Sequence, residues 1–234
     1  MPDIEPIRAE KQSAVDQAID QIRGLIRARG LSVGDVLPSE NDLATMFNSG
    51  RNTIREAVRT LKTYGIIESR QKAGMVIIDR RRAAMSDLLS ISLEISADTF
   101  KDIQGFRRLT EMNLADLLVG RIAREALLGM EIANRAMAEA TDPLIASEHD
   151  FRFHQIMVDA AGNQTMSEIY AMLKPVIQRL MVSGKSQRKA LEEAALEHTC
   201  IIDALRAGEK IDFLFHMNRH LASGLQFIPN REKS

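Results

Sequence analysis

Residues 37–61 read Leu37-Pro38-Ser39-Glu40-Asn41-Asp42-Leu43-Ala44-Thr45-Met46-Phe47-Asn48-Ser49-Gly50-Arg51-Asn52-Thr53-Ile54-Arg55-Glu56-Ala57-Val58-Arg59-Thr60-Leu61. Two helices separated by a tight turn can be read from this stretch. Ser39 stands as N-cap with Asp42 three residues on, the spacing at which a hydroxyl and a carboxylate each satisfy one free N–H of the first turn. Leu43, Ala44 and Phe47 give that helix a buried stripe. Asn48-Ser49-Gly50 breaks it. The next helix, over 51–63, buries Ile54, Ala57, Val58 and Leu61 at i, i+3, i+4 and i+7. Its opposite face carries Arg51, Asn52, Arg55, Arg59 and Lys62.

Upstream, Val15, Ala18, Ile19, Ile22, Leu25 and Ile26 predict an amphipathic helix over 14–29 ended by Gly30. A turn-rich link, 32–38, joins it to the helix pair. Downstream, after Tyr64-Gly65, two β-like runs (Ile66–Ser69 and Met75–Ile78) flank the basic turn Arg70-Gln71-Lys72-Ala73-Gly74. Helix, link, helix, turn, helix, hairpin is the order of a winged helix-turn-helix. Its second turn-flanking helix begins with basic and amide side chains, where a recognition helix meets base edges in the major groove.

Charge supports a polyanionic partner for this part alone. The 234-residue chain has a net charge of −1, yet residues 51–82 carry nine Lys and Arg against three acidic residues. A basic field on an acidic whole confines such a partner to one region. Arg80-Arg81-Arg82 opens a polar connector reaching about residue 97, readable as a solvated linker or as a phosphate contact. No apolar run reaches the roughly 18 residues of a membrane helix, and the charged N-terminus does not read as a signal peptide. The single cysteine, Cys200, excludes an internal disulfide and a Cys-based zinc site; it fits a cytoplasmic protein.

From 98 to 228 the pattern is helical throughout, with segments at 99–119, 121–140, 143–161, 164–183, 187–207 and 210–226, so an antiparallel all-α bundle is expected. The fold class is therefore mainly α, divided into a winged helix-turn-helix over 1–80, a linker over 81–97, a helical domain over 98–228 and a tail over 229–234.

All five histidines fall between 149 and 220. Asp150 and His154, at i, i+4, share one helical face. With His198 and His220 from other helices they could form a site for a divalent transition metal such as Zn²⁺, Ni²⁺ or Mn²⁺. A core histidine held by structural hydrogen bonds is the competing reading. His216 lies one turn before His220, and His149 is expected at the surface.

The N-terminal motif, Leu37-Pro38-Ser39-Glu40-Asn41-Asp42-Leu43-Ala44 with Phe47, Arg51 to Val58, Leu61 and Gly65-Ile66-Ile67, resembles the DNA-binding domain of the GntR family of bacterial transcription regulators. The chain departs from that pattern at Asn41, at Asn48-Ser49-Gly50 and at Lys72, where the family often has Arg, Gly-Val-Ser and Gly. The C-terminal residues Arg107 with Glu111, Asp150-Phe151-Arg152-Phe153-His154, Gly162-Asn163, Glu197-His198 and His220-Leu221 are similar to the FCD ligand domain of the FadR-type branch. The resemblance implies a metal on Asp150, His154, His198 and His220, with Zn²⁺ the leading candidate. It also implies a pocket for a small carboxylate effector, in which Arg107 matches a basic residue; Glu111, Asn163 and His216, the last outside the family's usual set, are further candidate contacts.

The expectation is thus a regulator, a repressor and not an enzyme, that binds double-stranded DNA as a homodimer on a palindromic operator. Ser39, Asn41, Arg51, Asn52, Thr53, Arg55, Arg59, Lys72 and Gly74 are its candidate DNA contacts. Two alternatives remain at this level: a metal-dependent hydrolase with Glu111 as general base, and a metal-free acyl-CoA sensor of the same family.

Overall fold

The computed structural model describes residues 12–93, 96–185 and 187–224. The expected tail at 229–234 lies outside the described residues, as do the first eleven residues of the N-terminal segment. The chain divides into two compact units, 1–85 and 86–234.

In the first unit, α1 (Ala14–Ala28), α2 (Glu40–Met46) and α3 (Arg51–Thr63) pack around Ile22, Leu43, Ile54 and Leu61. Ser39 and Asp42 form the expected reciprocal cap of α2: the Ser39 hydroxyl accepts from Asp42 N–H, and the Asp42 carboxylate accepts from Ser39 N–H. The four apolar residues on the inner face of α3 are fully buried. Each such Ile, Leu or Val contributes about 1.5–3 kcal/mol, which anchors the helix by the face opposite its basic residues. A three-stranded antiparallel sheet closes the unit in the order β1 (Val36–Leu37), β3 (Gly74–Ile77), β2 (Ile67–Arg70). The link expected to be only turn-rich thus contributes a short strand, with Val36 opposite Val76 and Leu37 opposite Met75. Gly65 ends α3 with φ +68°, and a Cβ there would lie 2.6 Å from the Arg80 carbonyl carbon. Only glycine fits that left-handed, backbone-crowded position.

The stretch expected as a polar connector holds a helix, α4 (Arg81–Ser92). After its arginines it continues Ala83-Ala84-Met85, and Leu88-Leu89 follow, all good helix formers. Its Ser86 hydroxyl donates to the Met172 carbonyl at 2.8 Å.

The second unit is helical: α5 (Ala97–Glu111), a 3₁₀ turn at Met112–Leu114, α6 (Ala115–Leu118), α7 (Arg124–Glu139), α8 (Pro143–Ala160), α9 (Gln164–Met172), α10 (Lys174–Lys185), α11 (Arg188–Ala207) and α12 (Lys210–Ser223). Two expected helices are divided. The first, 99–119, turns at Met112–Leu114, which keeps Leu114, Ala115 and Leu118 buried. The second, 164–183, breaks at Leu173. Pro175 lacks an N–H and its ring would strike the carbonyl four residues back, so a continuous helix through it is disfavoured. Phe153, Met157, Tyr170, Ile201, Phe213 and Met217 form the centre of this unit's core. Among the described residues, no helix is long and apolar enough to cross a membrane.

Candidate metal centre and nucleic-acid interface

Asp150 and His154 project from one face of α8 into the core, His198 reaches it from α11 and His220 from α12. All four are buried, and one donor atom from each lies within 4.8 Å of all the others. Nε2 of His220 is 3.2 Å from Nε2 of His198 and 3.1 Å from Nε2 of His154. Asp150 Oδ1 lies 3.5 Å from His198 Nε2.

The outer nitrogens explain this convergence. His154 Nδ1 lies 2.6 Å from Glu111 Oε2. His220 Nδ1 donates to Glu197 Oε2 at 3.0 Å. His198 Nδ1 lies 3.1 Å from Asn134 Oδ1. The Asn134 amide nitrogen donates to the Ala195 carbonyl and to Thr199 Oγ1, so its oxygen must turn to His198 and accept. A proton on each Nδ1, facing these oxygens, leaves a bare Nε2 toward the centre. Two unprotonated nitrogens about 3 Å apart cannot hydrogen-bond to each other; their lone pairs repel.

Burial also keeps a ring from charging to relieve that repulsion. It pushes the His154 pKa down to about 4, against the pull of Glu111. Phe153 stacks on His198 with ring centroids 3.8 Å apart, which fixes that imidazole's plane. Three inward Nε2 atoms and one carboxylate oxygen suit a first-row transition cation, and a cation at their centre removes the repulsion. Outer-ring acceptors of this kind orient metal-ligating histidines and raise their basicity. The donor set fits a metal.

Glu111 is the hub of the surrounding network. Its Oε1 accepts from Arg107 Nε at 2.8 Å and from the Tyr170 hydroxyl at 2.7 Å. Burial opposes its charge, but Arg107 and His154 outweigh burial and hold the carboxyl far below the usual range. Burial likewise opposes the charge on Arg107, which Glu111, Tyr170 and Asp150 restore. Arg107 Nη1 donates to Gln104 Oε1 at 3.3 Å, while its Nη2 is buried without a hydrogen-bond partner.

The expected effector contacts separate in the structure. Arg107 and Glu111 belong to the buried network. Asn163 is exposed and caps α9, its side-chain oxygen accepting from Met166 N–H at 3.1 Å. That contact is local, and it places Asn163 outside the donor group. His216 is half-buried with an unpartnered Nδ1 and is not one of the four converging residues. Asn134, Glu197 and Tyr170 hold the site and had been given no role in it by sequence. For Asn134 there was a signal: an amide within the buried Met130-Ala133-Met137 stripe of α7.

In the first unit, Arg51, Asn52, Arg55 and Arg59 are exposed on α3, while Thr53 is half-buried. Gly50 caps the helix without a side chain, leaving first-turn N–H groups open to an acceptor. Arg55 lies 3.7 Å from Glu40, and Arg59 pairs with Glu56 at 2.8 Å. Ser39 is engaged in its cap, and Asn41 is exposed beside it. At the wing tip, Lys72 and Gly74 are exposed, and Lys72 adopts φ +68°.

A winged helix-turn-helix with a basic helix face, followed by a helical unit with a buried polar centre, is the organisation of a DNA-binding protein that carries a second helical domain. Comparison gives the family. Residues 14–77 match the model described as bacterial regulatory proteins, gntR family, and residues 102–223 match the FCD domain. The chain belongs to the GntR family of DNA-binding transcription regulators, in the group that carries an FCD domain, and is not an enzyme. It is 25% identical over 205 residues to the HTH-type transcriptional regulator LutR of Bacillus subtilis, spanning 85% of this chain and 94% of that one. It is 28% identical to the putative L-lactate dehydrogenase operon regulatory protein of Escherichia coli, over 88% of this chain and 83% of that protein. A solved structure, Streptococcus agalactiae GntR, superposes with TM-score 0.69 at 30% identity, covering 91% of this chain and 99% of that one.

Proposed function

We propose that this regulator is a metal-dependent repressor released from its operator by a small carboxylic acid. The observation that carries the reading is the convergence of three rings whose Nδ1 atoms face oxygens of Glu111, Asn134 and Glu197 at 2.6, 3.1 and 3.0 Å, which directs three Nε2 atoms inward beside Asp150. Asp150, His154, His198 and His220 would hold one divalent ion, with Zn²⁺, Ni²⁺ or Mn²⁺ compatible with the donors. When bound, the ion would supply a Lewis-acidic anchor for an oxygen-donor ligand. Arg107 offers the complementary group, a charged guanidinium with an unpartnered buried Nη2, suited to a carboxylate. A 2-hydroxy acid presents both chemistries, and one similar protein is named for an L-lactate dehydrogenase operon.

The DNA half of the reading rests on α3. Arg51 and Arg55 would read guanines, Asn52 and Thr53 bases or phosphates, and Ser39, Asn41, Arg59, Lys72 and Gly74 would lie along the backbone and wing contacts. One winged unit reads a short half-site, so a homodimer on a palindromic operator completes the recognition. An effector that binds the free repressor more tightly than the operator-bound repressor weakens operator binding by that difference.

Elemental analysis of protein purified without chelator, combined with operator binding in the presence of L-lactate and other small acids, tests this reading. The expected result is about one divalent ion per chain and acid-induced release. His198→Ala should lose metal and acid response while still binding operator. Metal-free native protein, or a His198→Ala variant that releases DNA normally, would overturn the reading.

A further inference from the structure

The solvent face of α7 carries a five-residue stripe, Arg124, Leu128, Ile132, Arg135 and Glu139, at spacings of 4, 4, 3 and 4 along the helix. All five are exposed, Leu128 by 53% and Ile132 by 52%. The opposite face buries Met130, Ala133, Asn134 and Met137, so the stripe points directly away from the core. Single exposed leucines are ordinary. Two large aliphatic residues one turn apart, flanked by opposite charges, form a patterned surface. Among the described residues, Arg124, Arg135 and Glu139 make no ion pair within the chain, whereas neighbouring Glu131 is engaged by Arg206.

The pattern is self-complementary. Laid antiparallel on a copy of itself about a two-fold axis near residue 132, the helix brings Arg124 against Glu139 of the copy and Glu139 against Arg124. Leu128 falls against the aliphatic stem of Arg135, and Ile132 meets its own counterpart. An isologous contact requires this reciprocity, in which residue i meets j and j meets i. The stripe spans about 22 Å at a rise of 1.5 Å per residue, and Leu196, 67% exposed on α11, stands across an adjoining groove lined by Glu131, Arg135 and Ala138. That groove adds Leu196 and Ala138 to the surface, among the charged Glu131, Glu192 and Arg206, and continues it beyond a single helix pair, toward the area a stable interface needs. In a comparable patch, Ile211 and Phe215 on α12, the flanking Arg219 is already engaged: it lies over the Phe215 ring and is 3.5 Å from Glu197.

We propose that α7 is a homodimer interface, pairing antiparallel with α7 of a second copy of this chain through Arg124–Glu139 contacts on either side of Leu128 and Ile132. The proposal rests on the two-fold reading of operator recognition and specifies the surface responsible. Four variants of the full chain test it by light scattering and sedimentation. Leu128→Glu should raise the dimer dissociation constant at least tenfold. Arg124→Glu and Glu139→Arg should each weaken the dimer several-fold, and the Arg124→Glu/Glu139→Arg double variant should restore it. In a Cys200→Ser background, Ile132→Cys should crosslink to itself on mild oxidation, which reads proximity independently of any change in stability. A dimer that survives Leu128→Glu, a double variant no tighter than the singles, or Ile132→Cys that fails to crosslink in a dimeric protein would overturn the α7 surface while leaving the two-fold reading intact. A wild-type chain that is monomeric at all concentrations, and on operator DNA, would overturn both.

Discussion

Replacing Glu111 with Gln isolates the hub of the buried network, because the two side chains have nearly the same shape. The Glu111 carboxylate faces three donors: Arg107 Nε at 2.8 Å, the Tyr170 hydroxyl at 2.7 Å and His154 Nδ1 at 2.6 Å. A glutamine offers one acceptor oxygen and one donor amide, so at least one of the three would face an N–H. The substitution also leaves the Arg107 guanidinium, only 5% exposed, without its carboxylate. Breaking a buried pair in this way costs about 3–5 kcal/mol, a large part of the 5–15 kcal/mol that holds a typical domain together. Urea unfolding of chelator-treated protein measures the loss without a metal contribution. The Glu111→Gln/Arg107→Gln double variant should recover much of the loss, because the unpaired charge is gone, with a coupling of about 1–3 kcal/mol. Metal affinity of Glu111→Gln should fall roughly 10–100-fold, as expected for an acceptor behind a ligating ring. A single variant within 0.5 kcal/mol of wild type, by the usual spread for neutral substitutions, would refute the network's structural role.

Gly65→Ala should destabilise the first unit by about 3 kcal/mol or more: its left-handed φ penalises a Cβ by about 1–2 kcal/mol, and that Cβ would press on Arg80 backbone. A lowered first transition on thermal unfolding checks this. Lys72→Gly should stabilise the wing by a few tenths to about 1 kcal/mol, because φ +68° strains any residue with a Cβ while glycine costs some chain entropy; weaker operator binding should accompany the gain. Arg51→Ala and Arg55→Ala should each cost about 1–3 kcal/mol at a specific operator if they hold guanine bidentately. Titration at two salt concentrations, with unaltered sequence preference in Arg55→Ala, would argue against that role.

Local signals predicted the first unit well. Ser39 and Asp42 needed only three-residue proximity to announce the start of α2, and the stripe of α3 lies within a single helix. The strand β1 was hidden because two residues, Val36 and Leu37, are too few to show alternation; the pairing with β3 creates the strand. α4 was missed because its arginines read as solvated linker. The division between α9 and α10 turns on one proline inside an otherwise apolar run. At the candidate metal centre, Asp150 and His154 share a helix face, and that spacing was visible. The contacts that lock the rings were not, because His198 with Asn134 and His154 with Glu111 join residues many turns apart in the chain.

The same contacts bear on why the centre suits sensing. A hydrolytic site needs a carboxylate or imidazole free to take a proton from water. The two glutamates nearest the rings are already engaged as acceptors: Glu111 by Arg107, Tyr170 and His154, and Glu197 by His220 and the Ser223 hydroxyl. Burial opposes the charge on Glu197 too, yet the bonds from His220 and Ser223 and the nearby Arg219 keep its pKa lowered. Each of these carboxylates is held ionised by donors that orient a ring, so taking up a proton would cost it those bonds. Arg107 Nη2 is buried without a hydrogen-bond partner; its guanidinium can pair with an anion and cannot act as a base, since arginine stays protonated throughout the physiological range. Beside Asp150, His154, His198 and His220, the two nearest glutamates are thus spent on orienting rings, which supports the proposed reading of the C-terminal unit as a sensor rather than a hydrolytic centre.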